Sequence, residues 1–288
     1  MSDNFLNKKH LNYPYKDHSK PYYDQNILFS KNLKSHIADY DKWNNELKEN
    51  HISTLKSELN SLNFRSDEFV TKHSGKHILF SGCSQTWGTG LLLEELWSKK
   101  IYNFLCNDGR CSGYFNIAIY GTSIMSQVIN MFKYFQTYGN PDVIFYNVPD
   151  ILRSYVYDDK TKMFYDGFYS YKSEEMISLV SYQYYYMLDQ YCRANNISLY
   201  SFSWVYDSKI KNYWDLDFKF PYFLKNFDTF YTMDTKKTLN FVFNYKEKNP
   251  KDKYVELARD NKHLGTGFNS YWAEYMYTIY LLKEKNEL

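Results

Sequence analysis

A serine and a histidine, each in a turn of the sequence, are the strongest candidates for chemistry. Ser84 stands in the segment GCSQTWG at residues 82–88, which follows a short apolar run and precedes a helical pattern. In such a strand–turn–helix the hydroxyl lies above the sheet edge, beside the helix-opening N–H groups. His263 is the only histidine after residue 77, and Asp260 stands three residues before it. We therefore predict that Ser84 is a nucleophile, that His263 removes its proton and that Asp260 holds the imidazole.

Four apolar runs predict the strands that position these residues. The runs cover residues 77–81, 114–120, 143–146 and 197–202, and helical spacing follows at 91–97, 123–138, 173–195 and 268–285. Strands that alternate with helices in this way are typical of βαβ units around a parallel sheet. In such a sheet the reactive groups gather at the carboxyl ends of the strands.

Two parts of the chain fall outside this alternation. Residues 1–76 begin with an arm rich in Tyr, Asn and Lys, and apolar spacings of three and four from residue 37 to residue 62 predict one or two amphipathic helices. Residues 205–255 are crowded with Tyr, Phe, Lys and Asp, which indicates an insertion over the sheet edge or the site. We predict an N-terminal helical extension at 1–76, which would carry any homo-oligomer or assembly contacts, and an α/β domain at 77–288.

Charge and hydropathy exclude several classes of protein. The 288 residues carry 35 basic and 33 acidic side chains, a formal net charge of +2. A nucleic-acid binder would show a clustered basic face, so we expect no nucleic acid as partner. No apolar stretch approaches the roughly 20 residues of a membrane span, and the N-terminus has no signal-peptide core. We expect a soluble protein, in the cytoplasm or in a virus particle.

Aromatic residues make up 20% of the chain, with 32 Tyr and 21 Phe. Two explanations remain open: the codon bias of a genome poor in G and C, which the Lys and Asn content also indicates, or a stacking surface for sugars, bases or proteins. On the second explanation, four rings of the predicted insertion would form a groove for the substrate: Tyr206, Trp214, Tyr222 and Tyr231.

The four cysteines, Cys83, Cys106, Cys111 and Cys192, are too scattered for a disulfide framework. Cys106 and Cys111 are close enough in sequence for one bridge or half a metal site, but no second Cys/His pair is near, so we expect free thiols and no metal. Cys83 is an alternative nucleophile, because a helix N-terminus lowers the pKa of a thiol. Its side chain should point into the sheet, away from that of Ser84.

The segments around Ser84 and His263 resemble the motifs of the SGNH/GDSL hydrolase superfamily. FSGCSQTWGTG at 80–90 is similar to the nucleophile block, with Cys83 where aspartate is usual, and residues 260–263 match Asp-x-x-His. Gly121 in FNIAIYGTS matches the glycine block. Asn147 in PDVIFYNVPD matches the asparagine block, which normally reads Gly-x-Asn-Asp. The resemblance covers roughly residues 77 to 285.

This resemblance implies a three-layer α/β/α sandwich of flavodoxin-like kind with a mostly parallel sheet, and a two-step acyl transfer. Ser84 would attack an ester carbonyl, His263 would take and return the proton, and Asp260 would hold the imidazole. The backbone N–H groups of Ser84 and Gly121 and the amide of Asn147 would form the oxyanion hole. The substrate would be an O-acyl ester, most simply an acetyl ester on a carbohydrate, and no cofactor is implied.

A structural or interaction protein is the alternative. The N-terminal extension, the imperfect asparagine block and the codon bias fit a component of a virus particle or other assembly. Such a protein would keep the fold with little or no turnover. Labelling of Ser84 by a fluorophosphonate, which requires an activated serine, separates the two interpretations.

Overall fold

A computed structural model describes residues 57–287, apart from residues 63, 107–109, 120, 152, 159–162, 169–173, 206–219 and 260–262. The predicted N-terminal arm and nearly all of the first amphipathic pattern therefore lie outside the described residues. So do Tyr206, Trp214 and Asp260.

The described residues form six α-helices and six β-strands. In chain order these are β1 (Ile78–Gly82), α1 (Ser84–Trp87), α2 (Trp97–Cys106), β2 (Phe115–Asn116), α3 (Ile124–Tyr138), β3 (Val143–Val148), β4 (Arg153–Asp158), β5 (Met163–Phe168), α4 (Glu174–Ala194), β6 (Ser198–Ser203), α5 (Thr235–Lys248) and α6 (Thr266–Glu284). Two short 3-10 helices cover Leu93–Glu95 and Tyr222–Asn226.

The central sheet has the strand order β2-β1-β3-β6, and all of its neighbouring strands are parallel. Strands β4 and β5 pair with each other in a separate antiparallel hairpin. The order of the central sheet corresponds to the first four places of the flavodoxin-like arrangement. In that arrangement, ligands bind at the carboxyl ends of the strands.

Helices cover both faces of the sheet. Phe145 of β3 packs towards Tyr280 of α6, and the next residue, Tyr146, stacks on Tyr185 of α4. Because successive strand residues face opposite sides, α6 and α4 lie on opposite faces. Helices α2 and α5 pack against α6, and α3 packs against α4. The predicted three-layer α/β/α fold is confirmed.

The strand predictions agree closely with the structure, but one helix prediction is wrong. The strand predicted at 114–120 is regular only in β2, although the chain continues beside β1 through the N–H groups of Ile117 and Ile119. The helix predicted at 91–97 is instead the 3-10 helix Leu93–Glu95, and α2 begins at Trp97. The helical spacing is interrupted because Leu96 adopts an extended conformation.

The expectation of free thiols is corrected at two cysteines. Cys106 and Cys111 form a disulfide, whereas Cys83 and Cys192 are free and buried. Cys106 ends α2, and Cys111 bridges to Lys76 just before β1. Their Cα atoms lie 5.4 Å apart, within the usual range for a disulfide.

The two parts of the chain outside the predicted strand–helix alternation also pack onto the core. Phe64 and Arg65 are buried, so part of the predicted N-terminal extension contacts the core. The division at residue 76 stays a prediction. In the predicted insertion, residues 229–231 run beside β6 through backbone hydrogen bonds to Ser201 and so cover the outer sheet edge. No helix in the described part of the chain is long and apolar enough to cross a membrane.

Candidate active site

The ends of β2, β1 and β3 bring three predicted site residues to one edge of the sheet. Gly82, the last residue of β1, pairs with Asn147 of β3, and Ser84 follows two residues later. On the other side of β1, the Ile119 N–H donates to the Gly82 carbonyl at 3.2 Å, and Gly121 follows two residues later. Since parallel strands end at the same edge, Gly121, Ser84 and Asn147 lie at neighbouring strand ends.

Ser84 is the first residue of α1 and is only 2% exposed. The preceding turn requires glycine at position 82, because its φ is +156° and a Cβ there would lie 2.1 Å from Thr86 Oγ1. The N–H groups of Thr86 and Trp87 both donate to the Cys83 carbonyl and close the first turn. The N–H of Ser84, at the first helical position, has no acceptor within its own helix.

Cys83 lies in the main apolar core rather than in the site. Its side chain is completely buried and belongs to the same hydrophobic cluster as Phe80 and Tyr146. The packing therefore favours Ser84 over Cys83 as the nucleophile.

The side chain of Asn147 is completely buried, and only one of its two polar atoms has a protein partner in the described residues. Its Oδ1 accepts a hydrogen bond from the Trp204 N–H at 3.1 Å, whereas its Nδ2 has no partner among the described residues. The turn that presents Trp204 is held by Ser203 Oγ, which donates to the Val148 carbonyl and accepts from the Val205 N–H. A buried donor without a partner costs about 1–3 kcal/mol. Other buried side chains also have a polar atom without a partner, and Asn147 is distinguished by its position at the strand end next to that of Ser84.

Gly121 occupies the left-handed region, with φ of +73°. A Cβ at this position would meet nothing within 4 Å, so the backbone conformation and not crowding requires glycine. The turn is fixed by Thr122 Oγ1, which donates to the Ile119 carbonyl at 2.7 Å and accepts from Gln127 Nε2 at 2.9 Å. Gln127 projects from α3, so this helix anchors the turn.

His263 lies in a narrow hairpin that packs against the loop after α1. Leu257 pairs with Leu264, and the Ala258 N–H donates to the His263 carbonyl at 2.8 Å. Ala258 also packs against Leu91 and Leu96. His263 itself is 7% exposed. These contacts bring the histidine close to the loop that follows the Ser84 helix, while the predicted partner of the imidazole, Asp260, lies outside the described residues.

The end of the His263 hairpin is locked to α2 by Asn269. Its Nδ2 donates to the carbonyls of Gly265 and Leu264, and its Oδ1 accepts from the Trp97 N–H at 3.1 Å. Gly265 lies where no side chain fits, because a Cβ would be 2.0 Å from the Tyr254 carbonyl oxygen. The start of α6 therefore has little freedom to move.

Arg65 was not predicted as a site residue, yet it holds the end of the Ser84 helix and the loop that follows it. Its fully buried guanidinium donates to the carbonyls of Trp87 at 3.1 Å, Gly88 at 2.9 Å and Leu91 at 3.0 Å, and it pairs with Glu58. These carbonyls belong to the last turn of α1 and the loop beyond it. The only signal in the sequence is a lone arginine beside apolar Phe64, before the predicted domain begins.

A pocket of about 640 Å³ lies between α4 and the 3-10 helix Tyr222–Asn226. It is lined by Glu175, Ser178, Leu179, Tyr182 and Phe223, none of which was predicted as a site residue. Of the predicted aromatic groove, Tyr222 is 60% exposed, whereas Tyr231 stacks on Tyr200. No cluster of three or more His, Cys, Asp or Glu suited to a metal ion occurs among the described residues.

Comparisons with known proteins do not assign the chain to a family. No family model matches it. A search of the curated proteins finds no match either. The interpretation of the site therefore depends on the motifs and on the geometry given above.

Proposed function

We propose that the protein is a serine hydrolase of the SGNH/GDSL type that cleaves ester bonds through an acyl intermediate on Ser84. The observation that carries the proposal is the buried Nδ2 of Asn147, a donor without a partner among the described residues, at the strand end next to that of Ser84. An oxyanion formed at the serine would give this donor an acceptor. That gain exists only during the reaction, which is the requirement for catalysis.

In the proposed reaction, Ser84 Oγ attacks the ester carbonyl carbon while His263 accepts the hydroxyl proton. The carbonyl oxygen becomes an oxyanion that accepts from the N–H groups of Ser84 and Gly121 and from Asn147 Nδ2. Collapse of this intermediate breaks the bond to the alcohol, which leaves with the proton from His263. Water then attacks the acyl-serine by the same steps and releases the acid. Asp260 would orient the imidazole.

The burial of the site supports a small acyl group as substrate. Ser84 and Asn147 are both almost completely buried, so little of the site is open to a long acyl chain. Exposed rings such as Tyr222 offer faces on which a sugar could stack. We therefore propose acetyl esters of carbohydrates as the first substrates to test.

The test compares Ser84→Ala, His263→Ala and Cys83→Ser with the parent on p-nitrophenyl acetate and on acetylated oligosaccharides. We expect the first two variants to lower kcat/KM by at least about 10³-fold, because each removes a member of the nucleophile pair. Cys83→Ser should keep most of the activity. Parent-level turnover by Ser84→Ala would exclude the serine mechanism, and loss of activity in Cys83→Ser alone would favour the thiol.

The low exposure of both Ser84 and His263 also fits the second candidate, a structural or assembly protein with little or no turnover. A fluorophosphonate distinguishes the two, since it reacts only with an activated serine. Labelling of the intact protein that disappears in Ser84→Ala supports the hydrolase. Intact, folded protein that takes up no label supports the structural protein.

A further inference from the structure

We propose that the ion pair between Arg259 and Glu95 positions His263 relative to Ser84, so that both are positioning residues for the reaction. The inference rests on the proposed function. Arg259 belongs to the hairpin that carries His263, and Glu95 to the segment that follows the Ser84 helix. The pair therefore joins the two halves of the site, which lie far apart in the sequence.

On the side of Ser84, the carboxylate of Glu95 accepts hydrogen bonds from several donors. Glu95 ends the 3-10 helix Leu93–Glu95 and accepts from the Leu92 N–H at 2.7 Å. It also accepts from Nη1 and, at 2.8 Å, from Nη2 of Arg259. Two parallel hydrogen bonds of this kind fix direction as well as distance.

On the histidine side, the arginine is held at its backbone and at its side chain. Its N–H donates to the Gly90 carbonyl at 3.1 Å, and its guanidinium lies 4.3 Å from the ring centroid of Tyr254. Ala258, the preceding residue, donates its N–H to the His263 carbonyl. A movement of Arg259 would therefore be transmitted to His263 through one hydrogen bond.

The pair is shielded from water more than an ordinary surface ion pair. The side chains of Arg259 and Glu95 are 13% and 23% exposed. The two segments also meet where the Arg259 N–H donates to the Gly90 carbonyl and where Ala258 packs against the side chains of Leu91 and Leu96. The apolar contact tolerates sliding, whereas a two-pronged ion pair does not. The pair and the backbone hydrogen bond therefore set the register of the hairpin on the loop together, and the pair is the part that a substitution removes.

Because Arg65 holds the loop of Ser84 independently, we expect loss of the Arg259–Glu95 pair to affect His263 and not Ser84. Arg65 already holds the carbonyls of Trp87, Gly88 and Leu91 from the other side, so the loop of Ser84 keeps its place without Arg259. Loss of the Arg259–Glu95 pair should therefore displace His263 and leave Ser84 in place. The defect would be in proton removal by the base, which depends steeply on geometry.

The experiment uses the full chain with Arg259→Lys, Glu95→Gln and the double variant. Lys246→Gln is the matched control, because it breaks the neighbouring ion pair with Glu256, whose side chains are 57% and 33% exposed. Two readouts are taken at pH 5 to 9: the rate at which a fluorophosphonate labels Ser84, and the imidazole NMR signals of His263, assigned with His263→Gln. Thermal unfolding is recorded for each variant.

We expect both single variants to lower the labelling rate about 10- to 100-fold and to shift its pH profile. The double variant should be no slower than the singles, because both remove the same interaction. The His263 signals should change in these variants and not in Lys246→Gln. Unchanged His263 signals in Arg259→Lys and Glu95→Gln would overturn the inference, whether or not the parent is labelled. A parent that takes up no label would instead contradict the proposed function.

Discussion

The side chain of Asn147 has one polar atom with a hydrogen-bond partner and one without such a partner among the described residues. Oδ1 accepts from the Trp204 N–H, whereas Nδ2 has no partner among the described residues. Asn130 is the matched control, because it is equally buried, its Nδ2 donates to the Ile117 carbonyl at 3.1 Å and its Oδ1 has no partner among the described residues. Substitution of either asparagine should therefore have a similar effect on stability, and only Asn147 should affect catalysis.

We expect Asn147→Ala to lower kcat/KM on p-nitrophenyl acetate about 10²- to 10³-fold, the usual effect of losing one oxyanion donor. Its effect on the free energy of unfolding should be small, because the loss of an unpaired donor offsets the loss of the Trp204 contact. Asn130→Ala should have a similarly small effect on stability, because it also removes one paired and one unpaired atom, and it should change the rate little. Steady-state kinetics and urea unfolding of both variants provide the check, and equal losses of rate would contradict the assigned role.

At the level of single residues, sequence patterns locate the reactive groups but not their partners. Ser84 is indicated by the glycine-containing turn that follows an apolar run, and Gly121 by the resemblance of its segment to a family motif, and both signals are local in the sequence. The contact that orients Asn147 comes from Trp204, 57 residues away, and no spacing rule reports such a pair. Arg65 was missed for the same reason, as its acceptors begin 22 residues further along the chain.

At the level of elements, the strands of the central sheet are predictable because each lies in a short, mostly apolar run of the sequence. The hairpin β4–β5 is not, because its connection DKTK at 159–162 lacks the Asn-Gly or Asp-Gly signal of a tight turn. The disulfide depends on a distance of 5.4 Å between two Cα atoms, which no sequence pattern reports. Local pattern thus predicts the strands of the central sheet, whereas it misses β4, β5 and the helix α5 inside the predicted insertion.

Arg65, which pairs with Glu58, joins the segment before β1 to the end of α1. Arg65 is a buried cation that caps the carbonyl end of α1, and the side chain of its partner, Glu58, is only 12% exposed. We expect Arg65→Met to lower the free energy of unfolding by about 3–5 kcal/mol, because it leaves Glu58 buried without its counter-ion. In Arg65→Met/Glu58→Gln the charge is gone, so part of the loss should be recovered. Urea unfolding of the two variants measures this, and equal stability would show that the charge of Glu58 is not the cause.

For the whole molecule, the candidate site lies at one end of the sheet, and a stacked pair of histidines, of which His77 is buried, lies at the other. His77 immediately precedes β1, and its ring stacks on that of His73 with centroids 3.6 Å apart. Its Nε2 is 2.9 Å from the hydroxyl oxygen of Tyr134. The carboxylate that faces this pair is Asp142, which accepts the His77 backbone N–H at 2.8 Å. Because the site occupies the opposite sheet end, acid sensitivity of stability that arises here is separable from effects on the site.

Burial, and then the charge of His73, lower the pKa of His77 from 6.5 to about 4. A group whose pKa is lower in the folded than in the unfolded state binds more protons on unfolding, so acid favours the unfolded chain. Stability should therefore fall as the pH drops from 6.5 towards 4, by up to about 3 kcal/mol from this residue. Urea unfolding at pH 7.5, 5.5 and 4.5 measures this pH dependence of the free energy of unfolding in the parent, in His77→Gln and in His73→Gln. His77→Gln should lose most of the slope of stability against pH, and His73→Gln should lose part of it because the pKa of His77 then rises. An unchanged slope in His77→Gln would mean that the acid sensitivity arises elsewhere in the chain.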